Sequence, residues 1–307
     1  MNLMNRRSFL EISSRLAALM GLSACATPRL AEALEEIASG AAPVLWLQGQ
    51  SCSGCSVSLL NSHLPGPAAL ITEYISLMFH QTLSAATGHL AVEALNKTIS
   101  QGGYLLCVEG AVPAGMPKAC RVGEELFGEQ LLRAARSAKA VVAVGTCAAF
   151  GGVPAAGGNP TGAVNVPKYL TDNGVKVDTI RIPGCPTHPE WLIGTLTHVL
   201  KFGVPPLDSE RRPKMFFSRL VHDQCPRFAD YERERFATSF GQPGCLFKLG
   251  CLGINTPADC NLRLWNGGTN TCIRAGAPCI GCAWKDFVAR TDFPLITMAR
   301  AKELQKS

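Results

Sequence analysis

The chain has 307 residues, of which 47% are hydrophobic and 17% are charged, and its formal net charge is +6. This composition excludes a disordered protein, and the length is sufficient for one large core or for two domains. Fourteen cysteines are many for a chain of this length, and they indicate either disulfide bonds or thiolates bound to metal.

The first 42 residues are predicted to be an export signal followed by a linker. Arg6 and Arg7 precede a short apolar stretch at 12–22, which resembles a bacterial twin-arginine signal. That route exports proteins already folded around cofactors, so it is compatible with metal-bound thiolates outside the cytoplasm. The sequence LSAC at 22–25 also resembles a lipoprotein box. Lipidation of Cys25 and ordinary cleavage of the signal are therefore alternatives.

Strands and helices alternate from residue 43 to about residue 205. Strands are predicted at 43–49, 70–77, 103–110, 140–146 and 178–184. The third and fourth are near-continuous apolar runs, which are typical of strands buried on both faces of a sheet. Helices are predicted to begin at residue 55 and to cover 91–100, 128–138 and 189–203. This alternation predicts an α/β fold with a doubly wound parallel sheet.

The pattern changes after residue 205. The segment 206–307 has little periodicity, is rich in Gly and Pro, and holds seven cysteines. A segment of about 100 residues with so little regular structure needs cross-links in order to fold. We therefore predict one domain at 43–205 and a second, irregular domain at 206–307. The second domain holds fifteen Lys or Arg against ten Asp or Glu, which favours an acidic partner surface or an anionic membrane face.

Eleven cysteines and one histidine fall into three groups of four, with spacings typical of iron–sulfur ligands. The first group is Cys52, Cys55, Cys147 and Cys185; the second is His222, Cys225, Cys245 and Cys251; the third is Cys260, Cys272, Cys279 and Cys282. Cys25, Cys107 and Cys120 remain outside the groups. Cys107 lies within an apolar strand, where a free cysteine behaves as a small hydrophobic residue.

The first group is predicted to converge at one edge of the sheet. Cys52, Cys147 and Cys185 each follow a predicted strand by a few residues, and ligands of such sheets bind beyond the carboxyl ends of the strands. Cys-x-x-Cys at 52–55 is also compatible with a redox dithiol or with a zinc site. Two further cysteines at strand ends favour a four-thiolate site over a dithiol.

His222 is the one histidine that we assign as a ligand, because His-x-x-Cys leads into two more cysteines six positions apart. Disulfides are the alternative for the second domain, but seven cysteines would leave one unpaired. Eight ligands, counting His222, divide into two groups of four. Glu109 ends a predicted strand, and it either faces an interface or caps a loop.

With these residues assembled, the chain closely resembles the small subunits of periplasmic nickel–iron hydrogenases. The resemblance covers about residues 44 to 285, in QGQSCSGCSVSLLN, VEGAVP, VGTCAAFGGVPAA, PGCPTHPEW, HDQCPR and the block from CLGINTPADC to PCIGC. It implies a flavodoxin-like domain, a cluster-binding domain and three [4Fe-4S] clusters. The first group would hold the proximal cluster, the third group the medial one and the second group the distal one. It also implies a separate large subunit with the nickel–iron centre, so no catalytic residue is expected in this chain.

Two departures from common family patterns bear on the clusters. Cys272 stands where most members have proline and hold a three-iron medial cluster; a fourth cysteine is typical of the nickel–iron–selenium branch. Gly54 and Gly152 stand where oxygen-tolerant members carry extra cysteines, so oxygen tolerance is not expected.

The resemblance implies that the chain passes electrons between H2 chemistry on the large subunit and an external acceptor, with the exit near His222. The acceptor would be a c-type cytochrome or a membrane redox partner, and the location would be the periplasm. Nucleic acid is not an expected partner. The alternatives are a carrier of several clusters without a catalytic partner, a quinone-reductase subunit with a related N-terminal domain, and a disulfide-stapled secreted domain.

Overall fold

The computed structural model of the chain describes residues 43–63, 66 and 76–288. Arg6, Arg7, Cys25 and residues 70–75 of the second predicted strand lie outside the described residues.

Five parallel strands form the central sheet. They are β1 Pro43–Gln48, β2 Ser76–Phe79, β3 Leu105–Glu109, β4 Ala140–Val144 and β5 Thr179–Ile182. Their order across the sheet is β2-β1-β3-β4-β5, and every neighbouring pair is parallel. This is the strand order of flavodoxin-like doubly wound folds, so the predicted fold class is confirmed. The winding reverses between β1 and β3, where such folds have their ligand crevice.

In the described part of the chain, the helices beside the sheet are α1 Gly54–Leu60, α2 Gly88–Gln101, α3 Phe127–Ser137, α4 Gly145–Phe150, α5 Val166–Asp172 and α6 Pro189–Phe202. The four predicted helices correspond to α1, α2, α3 and α6. The sequence predicts neither α4 nor α5. The predicted strand at 140–146 ends at Val144, because Gly145 has a φ of 79° and turns the chain into α4. Within the described residues, no helix has the length and apolar character needed to cross a membrane.

Shorter elements complete the described chain. Val112–Pro113 pairs with Ala163–Val164, and Arg121–Val122 pairs with Glu125–Leu126. Single 3-10 turns occur at Pro117–Ala119, Val153–Ala155 and Phe247–Leu249. After α6 the helices are only four or five residues long: α7 Lys214–Phe217, α8 Phe228–Glu232 and α9 Cys260–Arg263. The predicted lack of regular structure in this segment is thus observed in its described part.

The sheet is buried on both faces, as its apolar strands predict. Leu106 and Val108 of β3 point to the face that α2 and α3 cover. Cys107, between them, points to the opposite face, where it packs in one cluster with Trp46 and with Trp191 of α6. Burial raises the pKa of the Cys107 thiol, because the thiolate would lose its hydration. Cys107 is therefore a neutral core residue.

The irregular C-terminal segment packs on the Trp191 face of the sheet. Phe216, Phe217, Leu249 and Ile273 belong to the same apolar cluster as Trp191. One continuous core therefore extends across the predicted boundary near residue 205. The two-domain division itself stays a prediction.

Buried polar bonds fasten this segment to α6. The Trp191 indole donates to Asp259 Oδ1 at 2.7 Å. The Arg263 side chain is 3% exposed, and its guanidinium lies 2.5 Å from Asp259 Oδ2 and 2.6 Å from Glu190 Oε2. Removal of either carboxylate would leave part of a buried cation unpaired, which is strongly destabilising. The cluster thereby fixes α9 against α6.

A buried hydrogen-bond chain joins the carboxyl ends of β2 and β3 to α1. Thr82 N–H donates to His80 Nδ1 at 3.1 Å, so a neutral His80 carries its proton on Nε2. Nε2 lies 3.0 Å from Ser56 Oγ, which in turn donates to the Glu109 carboxylate. Glu109 also accepts from the Cys55 backbone N–H at 3.0 Å. Glu109 thus caps the first turn of α1, a role that differs from the loop cap considered in the sequence analysis.

Low pH should reduce the stability of the folded protein, because His80 becomes protonated only when the chain unfolds. Burial lowers the pKa of His80 to about 4, whereas the ordinary value is 6.5, because a charged ring would lose its hydration. Between about pH 6.5 and 4, His80 therefore binds a proton in the unfolded chain but not in the folded chain. The contribution of His80 to the free energy of unfolding is complete above about pH 6.5. It falls by up to about 3 kcal/mol as the pH drops from 6.5 towards 4.

The pH dependence of the melting temperature of His80→Gln, compared with that of the parent protein, checks this expectation. The variant should be less stable at neutral pH and should lose less stability than the parent between pH 6.5 and 4. Parallel curves for the two proteins would contradict the assignment of a neutral buried imidazole.

Candidate iron–sulfur sites

The cysteines of the described residues are free thiols. None of these thirteen cysteines is paired in a disulfide. The alternative of a disulfide-stapled second domain therefore finds no support in the described part of the chain.

The first group lies at the carboxyl edge of the sheet. Cys52 and Cys55 follow β1, Cys147 is in α4 directly after β4, and Cys185 follows β5. Burial, and then the neighbouring thiols of Cys147 and Cys52, raise the pKa of Cys185 to about 11. Burial raises the pKa of Cys55 as well, followed by the Glu109 carboxylate and then by the thiols of Cys147 and Cys185. The strands thus bring Cys147 and Cys185 within electrostatic range of the Cys52–Cys55 segment.

Two glycines keep the backbone close to these thiols. A Cβ atom at Gly145 would lie 2.4 Å from Cys55 Sγ, and one at Gly152 would lie 2.9 Å from Cys147 Sγ. Both glycines have positive φ angles, which side chains of L-amino acids rarely adopt. Glycine at these positions leaves the space around the thiols open.

The third group lies against the first. Burial raises the pKa of Cys260, and the thiols of Cys282 and Cys272 raise it further. Burial also raises the pKa of Cys282, to about 11, and its neighbours include both Cys272 and Cys185 of the first group. Cys282 is therefore the point at which the third group meets the first.

The second group surrounds a cavity. The cavity is lined by His222, Cys225, Cys245 and Cys251, together with Arg227, Leu246, Phe247, Gly253, Ile254 and Ile273. Arg227 N–H donates to Cys225 Sγ at 3.4 Å. Burial raises the pKa of Cys279 of the third group, and the thiol of Cys251 contributes next. The third group thus lies between the other two.

Aromatic rings surround the imidazole of His222. The ring centroids of Phe228 and Tyr231 lie 5.1 Å and 4.6 Å from that of His222, both edge to face. Tyr231 in turn contacts Phe247 at 5.6 Å. Phe228 is 37% exposed, so this ring cluster reaches from the second group to the surface.

The donor chemistry of the three groups fits iron–sulfur clusters. No three His, Cys, Asp or Glu side chains in the described ranges converge closely enough to hold a single metal ion. Within each group, neighbouring thiols raise one another's pKa, so they lie within electrostatic range of one another. Thiolates, with one occasional imidazole, are the usual ligands of such clusters.

Some residues that contact these groups could not be predicted from the sequence. Thr146 donates from Oγ1 to the carbonyl of Cys282, and Thr256 Oγ1 lies 3.8 Å from Cys279 Sγ. Nothing in their spacing distinguishes them from other buried threonines. The only signal is the position of Thr146, directly before Cys147 in VGTC.

Two family models match different parts of the chain. Residues 52–199 match the model described as NADH ubiquinone oxidoreductase, 20 Kd subunit. Residues 217–294 match the model that describes the C-terminal region of the NiFe/NiFeSe hydrogenase small subunit. The first match agrees with the relationship expected for the N-terminal part, and the second match separates the chain from quinone reductases.

Relatives match over nearly the whole chain. The periplasmic [NiFeSe] hydrogenase small subunit of Desulfomicrobium baculatum is 40% identical over 304 residues, covering 92% of this chain and 96% of the relative. The uptake hydrogenase small subunit of Azotobacter vinelandii is 40% identical over 297 residues, covering 94% of this chain and 81% of the relative. The crystal structure of the reduced Ni-Fe-Se hydrogenase from Desulfomicrobium baculatum matches with a TM-score of 0.79 and 40% identity, over 83% of this chain and 98% of that chain. The chain belongs to the small-subunit family of NiFe and NiFeSe hydrogenases, and it is part of a hydrogenase whose catalytic site lies on the partner subunit.

Proposed function

We propose that this chain carries electrons between the catalytic site of the partner large subunit and an external acceptor, by way of three [4Fe-4S] clusters. The first group of ligands would hold the proximal cluster, the third group the medial cluster and the second group the distal cluster. A bound iron–sulfur cluster supplies one-electron oxidation and reduction. The chain itself contributes spacing, burial and hydrogen bonds to the ligand sulfurs.

The observation that carries this proposal is the serial order of the three groups. Thr146, beside Cys147 of the first group, donates to the Cys282 carbonyl, and Leu252, beside Cys251 of the second group, donates from its N–H to the Cys279 carbonyl at 2.7 Å, so the third group has one neighbour on each side. A stand-alone metal or dithiol site would not require such an order. A path for single electrons requires it, because each group must exchange electrons with the next.

Burial sets the protonation state of these thiols when no metal is bound. The pKa of the buried thiols in each group is raised, as for Cys55, Cys251 and Cys279, so without metal they keep their protons. Metal ligation requires the thiolates and therefore releases those protons. The positive charge of iron would compensate for the hydration that the buried thiolates lose.

The surface of the first group favours a subunit over a stand-alone carrier. Cys52 is exposed, and Val57, one turn into α1, is 64% exposed. Val153, in the turn that follows α4 and Cys147, is 38% exposed. Apolar side chains around a ligand cysteine are suited to burial against a partner protein. We assign this face to the large subunit, in a heterodimer.

The second group would be the exit to the acceptor. His222 is half-buried, and the rings of Phe228 and Tyr231 extend from it towards the surface. The acceptor would be a c-type cytochrome or a membrane redox partner. The excess of basic residues in 206–307 favours an acidic surface on that partner.

Iron analysis tests the proposed function directly. The anaerobically purified protein should contain about twelve irons per chain, and Cys272→Pro should lower this to about eleven, because three thiolates can hold a three-iron cluster. Electron paramagnetic resonance of the oxidised variant should show a three-iron signal. Cys120→Ala, which changes a half-buried cysteine outside the groups, is the control and should keep all of its iron. Zinc in place of iron would refute the proposal.

His222→Ala should separate H2 chemistry from electron delivery. Reduction of an external acceptor should slow, because the exposed end of the electron path loses its ligand. Isotope exchange between H2 and D2O needs no external acceptor and should continue. His89→Ala, at an exposed histidine on α2, is the matched control and should change neither rate. Equal loss of both activities in a His222→Ala protein with intact clusters would refute the placement of the exit.

The N-terminal residues should direct the complex to the periplasm, the location that the name of the Desulfomicrobium relative states. Arg6→Lys combined with Arg7→Lys should leave the complex inside the cell. Cys25→Ser should release it in soluble form with unchanged activity, since stable attachment depends on acyl chains. Mass spectrometry of the mature N-terminus is decisive for the lipid: an unmodified terminus after Cys25 would exclude it.

A further inference from the structure

The second group combines turns that are separate in the chain. His222 and Cys225 lie in one turn, in which the Cys225 N–H donates to the His222 carbonyl at 3.0 Å. Cys245 lies in another turn, which begins at Gln242. We call these the Cys225 turn and the Cys245 turn. A cluster at this site needs ligands from both, so the bonds that hold the two turns together determine how the ligands are oriented.

Arg227 joins the two turns. Its backbone N–H donates to Cys225 Sγ at 3.4 Å. Its Nη1 atom donates to the carbonyl of Gln242 at 2.8 Å and to that of Gly244 at 2.7 Å. One residue therefore bonds to a ligand sulfur of the Cys225 turn and to the backbone of the Cys245 turn.

The Cys245 turn is closely packed on its other side. The Cys245 N–H donates to the Arg235 carbonyl at 2.7 Å, and the Ala237 N–H donates to the Cys245 carbonyl at 2.9 Å. A Cβ atom at Gly244 would lie 2.9 Å from Ala237 N, so a side chain has no space there. The turn is therefore a well-packed support for the carbonyls that the guanidinium binds.

The guanidinium also places a positive charge beside the second group. Arg227 is half-buried and lines the cavity together with the four ligands. Both bonds of its Nη1 atom go to neutral carbonyls, and among the residues that the structure describes no carboxylate forms an ion pair with it. Asp230, in the next helix, is paired with Arg235 instead. Because arginine keeps its proton in proteins, the charge of Arg227 is permanent.

A permanent positive charge at this position favours the reduced state of a bound cluster. Reduction adds one negative charge to the cluster, and a guanidinium attracts that charge more strongly where protein replaces water. The reduction potentials of iron–sulfur clusters depend on net charge and on hydrogen bonds to the sulfurs. Arg227 contributes to both, with the charge of its side chain and the N–H···S bond of its backbone.

We propose that Arg227 is the positioning residue of the second group, and that its guanidinium holds the Cys225 turn to the Cys245 turn and raises the reduction potential of the cluster that they bind. This inference rests on the proposed three-cluster function. In each passage the second cluster gains one electron from the cluster of the third group and then loses it to the external acceptor. Arg227 keeps its proton and is neither oxidised nor reduced.

Three substitutions separate the charge of Arg227 from the rest of its side chain. Arg227→Met removes the charge and the hydrogen bonds but keeps an unbranched side chain. Arg227→Gln removes the charge and keeps an amide donor, whereas Arg227→Lys keeps the charge and an N–H donor. Arg233→Met is the matched control, because Arg233 is exposed directly after α8 and its side chain has no bond to either turn in the described part of the chain.

The experiment uses the anaerobically purified complex of both subunits. Redox titration followed by electron paramagnetic resonance measures the reduction potential of the second cluster, and nitrogen hyperfine coupling from His222 identifies its signal. The potential should fall in Arg227→Met and Arg227→Gln and should stay close to that of the parent in Arg227→Lys and Arg233→Met. Loss of iron to a chelator should be fastest in Arg227→Met, because the Cys245 turn then loses both of its bonds to the guanidinium.

The outcomes distinguish this inference from the proposed function. A parent complex without a histidine-bound cluster would refute the proposed function itself. Equal potentials in Arg227→Met, Arg227→Gln and Arg233→Met would overturn the role of Arg227 and leave the function standing. An equal fall in Arg227→Lys would also overturn it, because the charge would then not be the cause.

Partial loss of iron does not prevent the measurement, since only sites that hold a cluster give the signal. Complete loss of the second cluster in both neutral variants would limit Arg227 to a structural role and overturn the inference about the potential.

Discussion

The arrangement of the three groups depends on how an irregular segment is held against a regular sheet. Apolar contacts of Phe216 and Phe217 with Trp191 bury the segment, but apolar packing alone does not fix its register. The ion cluster of Arg263 with Asp259 and Glu190 fixes the orientation of α9 relative to α6, because a buried guanidinium satisfies its donors in only a few orientations. A buried ion cluster of this kind adds little net stability, since desolvation offsets the attraction. We attribute to it the placement of α9, and with it of Cys260, relative to the first group.

The sequence predicts the regular half of the fold well, because its elements have simple patterns. β3 and β4 are apolar runs, and α6 lies between Pro189 and Gly203, where proline suits the first turn and glycine the end of a helix. The helix α4 could not be separated from β4 in this way. Its residues continue the apolar run, and only the positive φ of Gly145 divides the two elements. The segment after residue 205 offers no amphipathic pattern, so its path and its shared core with the sheet could not be predicted.

For the candidate sites too, some features could be predicted from the sequence and others depend on the fold. The sequence predicts the members of each group, because spacings such as those of Cys52 with Cys55 and of Cys279 with Cys282 can be recognised in the sequence alone. The relationship between groups is a property of the fold. Cys185 and Cys282 are far apart in the chain, and they become neighbours only because the C-terminal segment packs beside the carboxyl edge of β5. Thr146 bonds to the Cys282 carbonyl for the same reason, and no sequence spacing indicates this contact.

Electrostatics gives the proposed electron path a direction in space. In the proposed assignment, thiolates alone would hold the clusters of the first and third groups, whereas the ligands of the second group include the imidazole of His222. A neutral imidazole in place of a thiolate removes one negative charge from the site, which favours the reduced state and raises the potential. The group with the neutral ligand is also the one whose surrounding rings reach the surface at Phe228. An electron on the second group would be stabilised by the neutral ligand and would lie close to solvent. The expected reduction potential and the distance to the surface therefore both favour the second group as the exit.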